Sequence, residues 1–119
     1  MGRSKFGLNL TATARLHRIG CEIYIGGIQA KRAFKLLEAD KQSIEQELGS
    51  LEWMKLRQDA RIVTYKHDID IQDETSQQTA FEWLRQKAES FYRTFSPRIK
   101  ALPIADEPET EAELDRQAE

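Results

Sequence analysis

One cysteine, three prolines, two histidines and no long apolar run in 119 residues set the first limits on this chain. A lone Cys21 cannot form an internal disulfide, so a disulfide scaffold is excluded, and no motif surrounds it that would make it a redox or nucleophilic centre. It falls in an apparent strand and reads as a buried free thiol. No stretch approaches the roughly 20 apolar residues that a membrane-spanning helix needs. The first ten residues, MGRSKFGLNL, carry positive charge but no apolar core and no small-residue cleavage site, so there is no secretory signal and a cytoplasmic location is expected. Without that signal, the glycosylation-like triplet Asn9-Leu10-Thr11 is a chance match. His17 and His67 each stand alone, without zinc-ligand spacing, and no Gly-x-Ser-x-Gly elbow occurs. No cofactor is implied.

What is present describes a small soluble domain: 39% hydrophobic and 32% charged residues, at a length suited to one core. The formal net charge of -2 conceals a division. Residues 1–102 hold 17 Lys and Arg against 13 Asp and Glu, a balance of +4, whereas residues 103–119 hold one Arg against seven acids, a balance of -6. The body is mildly basic, compatible with an acidic partner but far from the strongly basic footprint of a dedicated DNA-binding domain. From Pro103 onward the chain has two prolines and little to bury, which predicts a disordered acidic tail over 103–119 behind a single domain over 1–102.

Phe6, Leu8, Leu10, Ala12 and Ala14 alternate with more polar residues, the period of two of a strand with one buried face. Ile19 to Ile25 is β-branched and aromatic and ends at Gly26-Gly27, giving a second strand and a hairpin connected near Leu16 to Arg18. From Ile28 the spacing changes: Ala30, Ala33, Phe34, Leu37, Ile44 and Leu48 form one helical stripe that ends at Gly49. Residues 51–56 and 60–66 make a second hairpin around Arg57-Gln58-Asp59. A long helix then carries Ala80, Leu84, Ala88, Phe91 and Phe95, with Trp83 flanking and Pro97 marking or bending its end. The order β-β-α-β-β-α predicts an α+β fold, a four-stranded antiparallel sheet with two helices on one face. Strand order is not legible.

The cluster His67-Asp68-Ile69-Asp70-Ile71-Gln72-Asp73-Glu74 has the residue types to hold a hard divalent cation, and a metal-dependent hydrolase would use Asp68, Asp70 and His67. It lacks calcium-loop spacing, and the plainer reading is a helix start capped by Asp73 or Thr75. Glu52-Trp53-Met54-Lys55 invites comparison with the Asp…Glu-x-Lys core of metal-dependent nucleases, but its spacing is Glu-x-x-Lys, and strand alternation sends Glu52 and Lys55 to opposite faces. Gly26-Gly27 before a helix bearing Lys31 and Arg32 is explained by a turn rather than a phosphate loop.

If Phe6, Leu8 and Leu10 face the helices, the opposite sheet face carries Asn9, Thr11, Thr13 and Arg15, with Glu22 and Tyr24 beside them. Lys55, Arg61 and Tyr65 join it where registers agree, and Arg18 and Arg57 lie at its loops. Arg15, Arg18, Lys55, Arg57 and Arg61 are the candidate nucleic-acid-binding residues, since a polar, aromatic and basic sheet face can hold a backbone and stack bases. Thr11, Thr13, Tyr24 and Tyr65 are the candidate partner interface, since a sheet covered on one side often uses the other for assembly. A merely solvated face is the plainer reading of the same residues.

Several phrases carry a family likeness: GRSKFGLNL, CEIYIGG, KRAFKLLEADKQSIEQELG followed by LEWMKL, and FEWLRQKAESFYRTFSPRIK. Together they resemble the prokaryotic family known as domain of unknown function 4268, over roughly residues 2–102. Its most specific matches are Tyr24, Phe34, Ile44, Leu51, Trp53, Phe91 and Phe95, mainly fold-defining positions, and no catalytic residue is carried over. Longer members place the module after an N-terminal region, in some cases similar to restriction-type nucleases. The resemblance therefore implies an accessory module of DNA-processing or defence systems. This chain opens directly at the first strand, without the upstream helical segment usual in longer members; the expectation is no covalently joined nuclease, and a subunit, encoded separately or identical, that covers the surface left open. The expectation is a non-catalytic interaction or self-association module, a homo-oligomer or a protein partner's counterpart. Direct nucleic-acid binding is the alternative and the metal-dependent hydrolase the third reading.

Overall fold

Alternation at the start of the chain builds the first hairpin. In a computed structural model, which describes residues 3–104, β1 (Phe6–Thr13) pairs antiparallel with β2 (Arg18–Ile25). The second hairpin joins β3 (Glu52–Lys55) to β4 (Ala60–His67), and β4 also pairs antiparallel with β2. Among the described residues this makes an α+β fold with one four-stranded antiparallel sheet in the order β1-β2-β4-β3. The order places both long central strands between shorter or less covered edges.

Where one helix was expected over the Ile28–Gly49 stretch there are two, α1 (Ala30–Glu38) and α2 (Lys41–Leu48). The apolar stripe of Ala33, Phe34 and Leu37 resumes at Ile44, but its intermediate turn is occupied by Asp40-Lys41, which has nothing to bury. Asp40 stands at the break and its carboxylate accepts a 2.7 Å bond from Arg98 Nε. Gly49 ends α2 with φ +82°, a left-handed conformation that favours glycine.

The third helix, α3 (Glu74–Lys100), begins at Asp73, whose carboxylate accepts the Ser76 N–H at 3.0 Å, as the capping reading expected. It runs on past Pro97 to Lys100, so that the proline marks the end to within one turn. Pro97 sits in the last turn, where the burial of Phe95, Ile99 and Leu102 on one stripe offsets a single missing N–H. Arg98 holds the same region from outside, donating to Thr94 O at 2.7 Å, Ser43 Oγ at 3.2 Å and Glu47 Oε2 at 2.9 Å, and so ties α3 to α2. These carboxylates push the Arg98 guanidinium above its usual range, the Asp40 hydrogen bond first.

The core joins Cys21, Ile23 and Ile25 of β2 and Ala60 and Ile62 of β4 to Phe34, Leu37, Ile44, Phe91, Phe95 and Ile99. The three helices thus share one sheet face rather than the two expected. A smaller cluster, Ile19, Ile69 and Ala80, closes one end. Ile104 also packs against the core, and Arg3 donates to its carbonyl at 3.0 Å. Of the acidic tail expected over 103–119, residues 105–119 lie outside the described residues. No helix among those described is long and apolar enough to cross a membrane.

Candidate functional site

The strand registers determine which side chains share the sheet face that the helices leave open. Four rows cross it: Thr13, Arg18 and His67; Thr11, Gly20 and Tyr65; Asn9, Glu22, Val63 and Glu52; and Gly7, Tyr24, Arg61 and Met54. The sequence-derived residues Thr11, Thr13, Arg18, Tyr24, Arg61 and Tyr65 therefore come together on one surface. Lys55 does not: it pairs with Ala60, whose side chain is in the core, so it belongs to the helix side at the sheet's edge. Arg15 and Arg57 lie outside the strands, in the turns at opposite ends of the sheet.

Each end of the face is organised by a tyrosine and an arginine. At one end the ring of Tyr65 lies against Gly20, where an added Cβ would meet Tyr65 Cδ1 at 2.9 Å and Thr11 Oγ1 at 2.7 Å. The ring occupies the space a larger residue would need. The Arg18 guanidinium carbon lies 4.0 Å from the centre of that ring, and His67 sits beside it at 6.1 Å. The Nε of Arg18 is buried with no hydrogen-bond partner, so packing against the ring takes the place of solvent there. At the other end Arg61 lies 5.8 Å from the Tyr24 ring, and the Tyr24 hydroxyl donates to Asp59 Oδ2 at 2.9 Å. That hydrogen bond, with some burial, pushes the Tyr24 phenol above its ordinary range.

Between the two pairs the face is closed by its own side chains. Val63 is only 2% exposed and Glu22 7%, although among the described residues no other layer covers them. Glu22 is answered by Arg61, whose Nε lies 3.8 Å from Glu22 Oε2. The pairs stand six residues apart along β2, roughly 20 Å at strand rise. Val63 and Gly20 were not singled out from sequence, although the adjacent Ile62 and Val63 signal that β4 places an apolar residue on each face.

The acidic loop is organised by local bonds. Asp70 Oδ1 accepts the Gln72 N–H at 3.0 Å, Asp73 caps α3, and the backbone N–H of buried Ile69 reaches His17 O at 2.9 Å. Among the described residues no three His, Cys, Asp or Glu groups are arranged to hold a metal. Cys21 faces the core, and burial pushes its thiol up to about 12, with Lys87 acting in the opposite direction.

Taken together, the fold is an α+β module with a half-covered antiparallel sheet. Residues 1–99 match the family model described as Domain of unknown function (DUF4268), and the chain belongs to that family. No curated protein and no solved structure matches the chain.

Proposed function

We propose that this chain is a non-catalytic interaction module that docks a protein through the open face of its sheet, as an accessory to a DNA-acting system. The observation that carries this reading is the Tyr65 ring laid on Gly20 with Arg18 stacked 4.0 Å above it. Tyrosine and arginine are the side chains that dominate binding energy at protein interfaces, and a pair already held in place loses little freedom on docking. The middle row also favours protein over nucleic acid. Exposed Glu52 lies in the row between those of Arg18 and Arg61, and buried Glu22 already engages Arg61, so a phosphate backbone laid along the face would meet a like charge and find one arginine occupied.

Titration with duplex and single-stranded DNA across a salt series tests the choice. The protein-docking reading expects no binding at low salt. Affinity whose logarithm falls linearly with the logarithm of salt, and which Arg18→Glu with Arg61→Glu abolishes, replaces it with direct nucleic-acid binding.

A further inference from the structure

An edge strand presents a row of unpaired N–H and C=O groups, and folded proteins protect such rows with short length, charge, proline or bulges. The sheet has two edges, and they are treated differently. β3 is four residues long, with exposed Glu52 and Lys55 at its ends and the turn Leu56-Arg57-Gln58-Asp59 after it. β1 is eight residues long, FGLNLTAT, without a charged residue or proline, and its register with β2 runs unbroken from Phe6↔Ile25 to Thr13↔Arg18. None of the protective devices is present on β1.

The direction of its backbone groups follows from one bond beyond the strand. Gly26 N–H donates to Lys5 O at 2.9 Å, so in the antiparallel ladder Gly7, Asn9, Thr11 and Thr13 exchange their bonds with β2. Leu8, Leu10 and Ala12 therefore turn N–H and C=O outward. Leu10 and Ala12 are also exposed, Leu10 at 48%, although by register they lie on the helix-covered side.

We infer that β1 pairs antiparallel with β1 of a second copy of this chain, about a two-fold axis through Leu10, to form one eight-stranded sheet. The strand is self-complementary in that register. Leu10 meets Leu10, Leu8 meets Ala12, and Asn9 meets Thr11, so every apolar side chain stays on the helix side and every polar one on the open face. A strand pairing with its own copy sets like beside like, and β1 has no charge to repel itself. The pairing covers the exposed part of Leu10 and joins the two open faces side by side. It rests on the interaction reading only in enlarging the same face, because edge and face are altered by different residues.

Sedimentation equilibrium of the full chain is the test, with Leu10→Lys and Leu10→Glu as variants. The wild type is expected at twice the chain mass, each variant alone at the mass of one chain, and an equimolar mixture of the two back at twice that mass. Restoration by mixing separates loss of pairing from loss of folding. A second readout needs no variant: amide exchange at Leu8, Leu10 and Ala12 slows at high protein concentration and quickens on dilution, while Asn9 and Thr11 stay protected throughout. A monomeric wild type, or a dimer that survives Leu10→Lys, overturns the edge pairing. A dimer broken by Arg18→Glu with Arg61→Glu but not by Leu10→Lys also overturns it, and moves the association to the face, leaving the interaction reading intact. A monomer that binds DNA with a steep salt dependence overturns both.

Discussion

The two faces of one sheet are buried in different ways. On the helix side, Cys21, Ile23, Ile25, Ala60 and Ile62 are covered by phenylalanines and aliphatic side chains from three helices. On the open side, Val63 and Glu22 are nearly as well buried, yet their cover comes from neighbours within the same face. The first solution hides apolar surface with a second layer and needs close packing. The second folds long amphipathic side chains down onto the strands, stem and ring against the sheet, and leaves the Glu22 carboxylate buried near Arg61. Among the described residues, a face built in the second way has no covering layer.

The sharpest way to break the comparison is to empty the covered side. Phe91→Ala, at a fully buried position, is expected to cost about 3–5 kcal/mol by urea unfolding, a loss no single change on the open face should match. Next is Gly20→Ala on the open side, where the added Cβ has no room beside Thr11 and Tyr65; about 1–3 kcal/mol is expected. Combining it with Tyr65→Ala in a double-mutant cycle should recover part of that loss, and strict additivity would show that the ring does not occupy the glycine's space.

Alkaline titration probes the covered side again. The Cys21 thiol is held up to about 12 in the fold against 9.0 for a free one, so the folded chain keeps a proton that the unfolded chain releases. Stability should fall as pH rises above about 9, by at most about 1.4 kcal/mol per pH unit from this group, and Cys21→Ala should remove that slope. The raised Tyr24 phenol acts in the same direction and remains in the variant, so a residual slope is expected. The smallest effect belongs to Arg18→Ala. Removing the cation from the Tyr65 ring should cost about 0.5–1 kcal/mol in thermal or urea unfolding, while leaving the helix-covered side unchanged.

The strands were legible because alternation is local: Phe6, Leu8 and Leu10 against Gly7, Asn9 and Thr11 state both the strand and its inner face. The long stripe of α3 was equally plain. The break between α1 and α2 was overlooked because Ala33, Phe34, Leu37, Ile44 and Leu48 remain in helical phase across it, and only the polar turn at Asp40-Lys41 marks the interruption. Pro97 marked the end of α3 only to within a turn. Its local preference to end a helix was outweighed by Ile99 and Leu102 reaching the core, contacts that no local pattern contains. For the candidate site, residue types were visible but grouping was not. Lys55 and Arg61 look alike in the sequence and stand on opposite sides of the sheet, because the pairing of β3 with β4 sets Lys55 beside Ala60. Likewise, Glu45 receives the Leu51 N–H at 2.9 Å and the Trp53 indole at 3.3 Å, bonds that hold its carboxyl below the usual range, the Leu51 bond foremost.

By itself the sequence determined the four strands, the long stripe of α3, the inner face of the first hairpin, the mildly basic body and the family to which the chain belongs, since all of these depend on composition and on neighbours a few residues apart. Tertiary structure decided the strand order, the laying of Tyr65 on Gly20, the separation of the five basic residues and the contrast between an unprotected β1 and a short, charged β3. These depend on which strands meet and in what register, and that is settled by packing the whole core at once rather than by any segment's own preference.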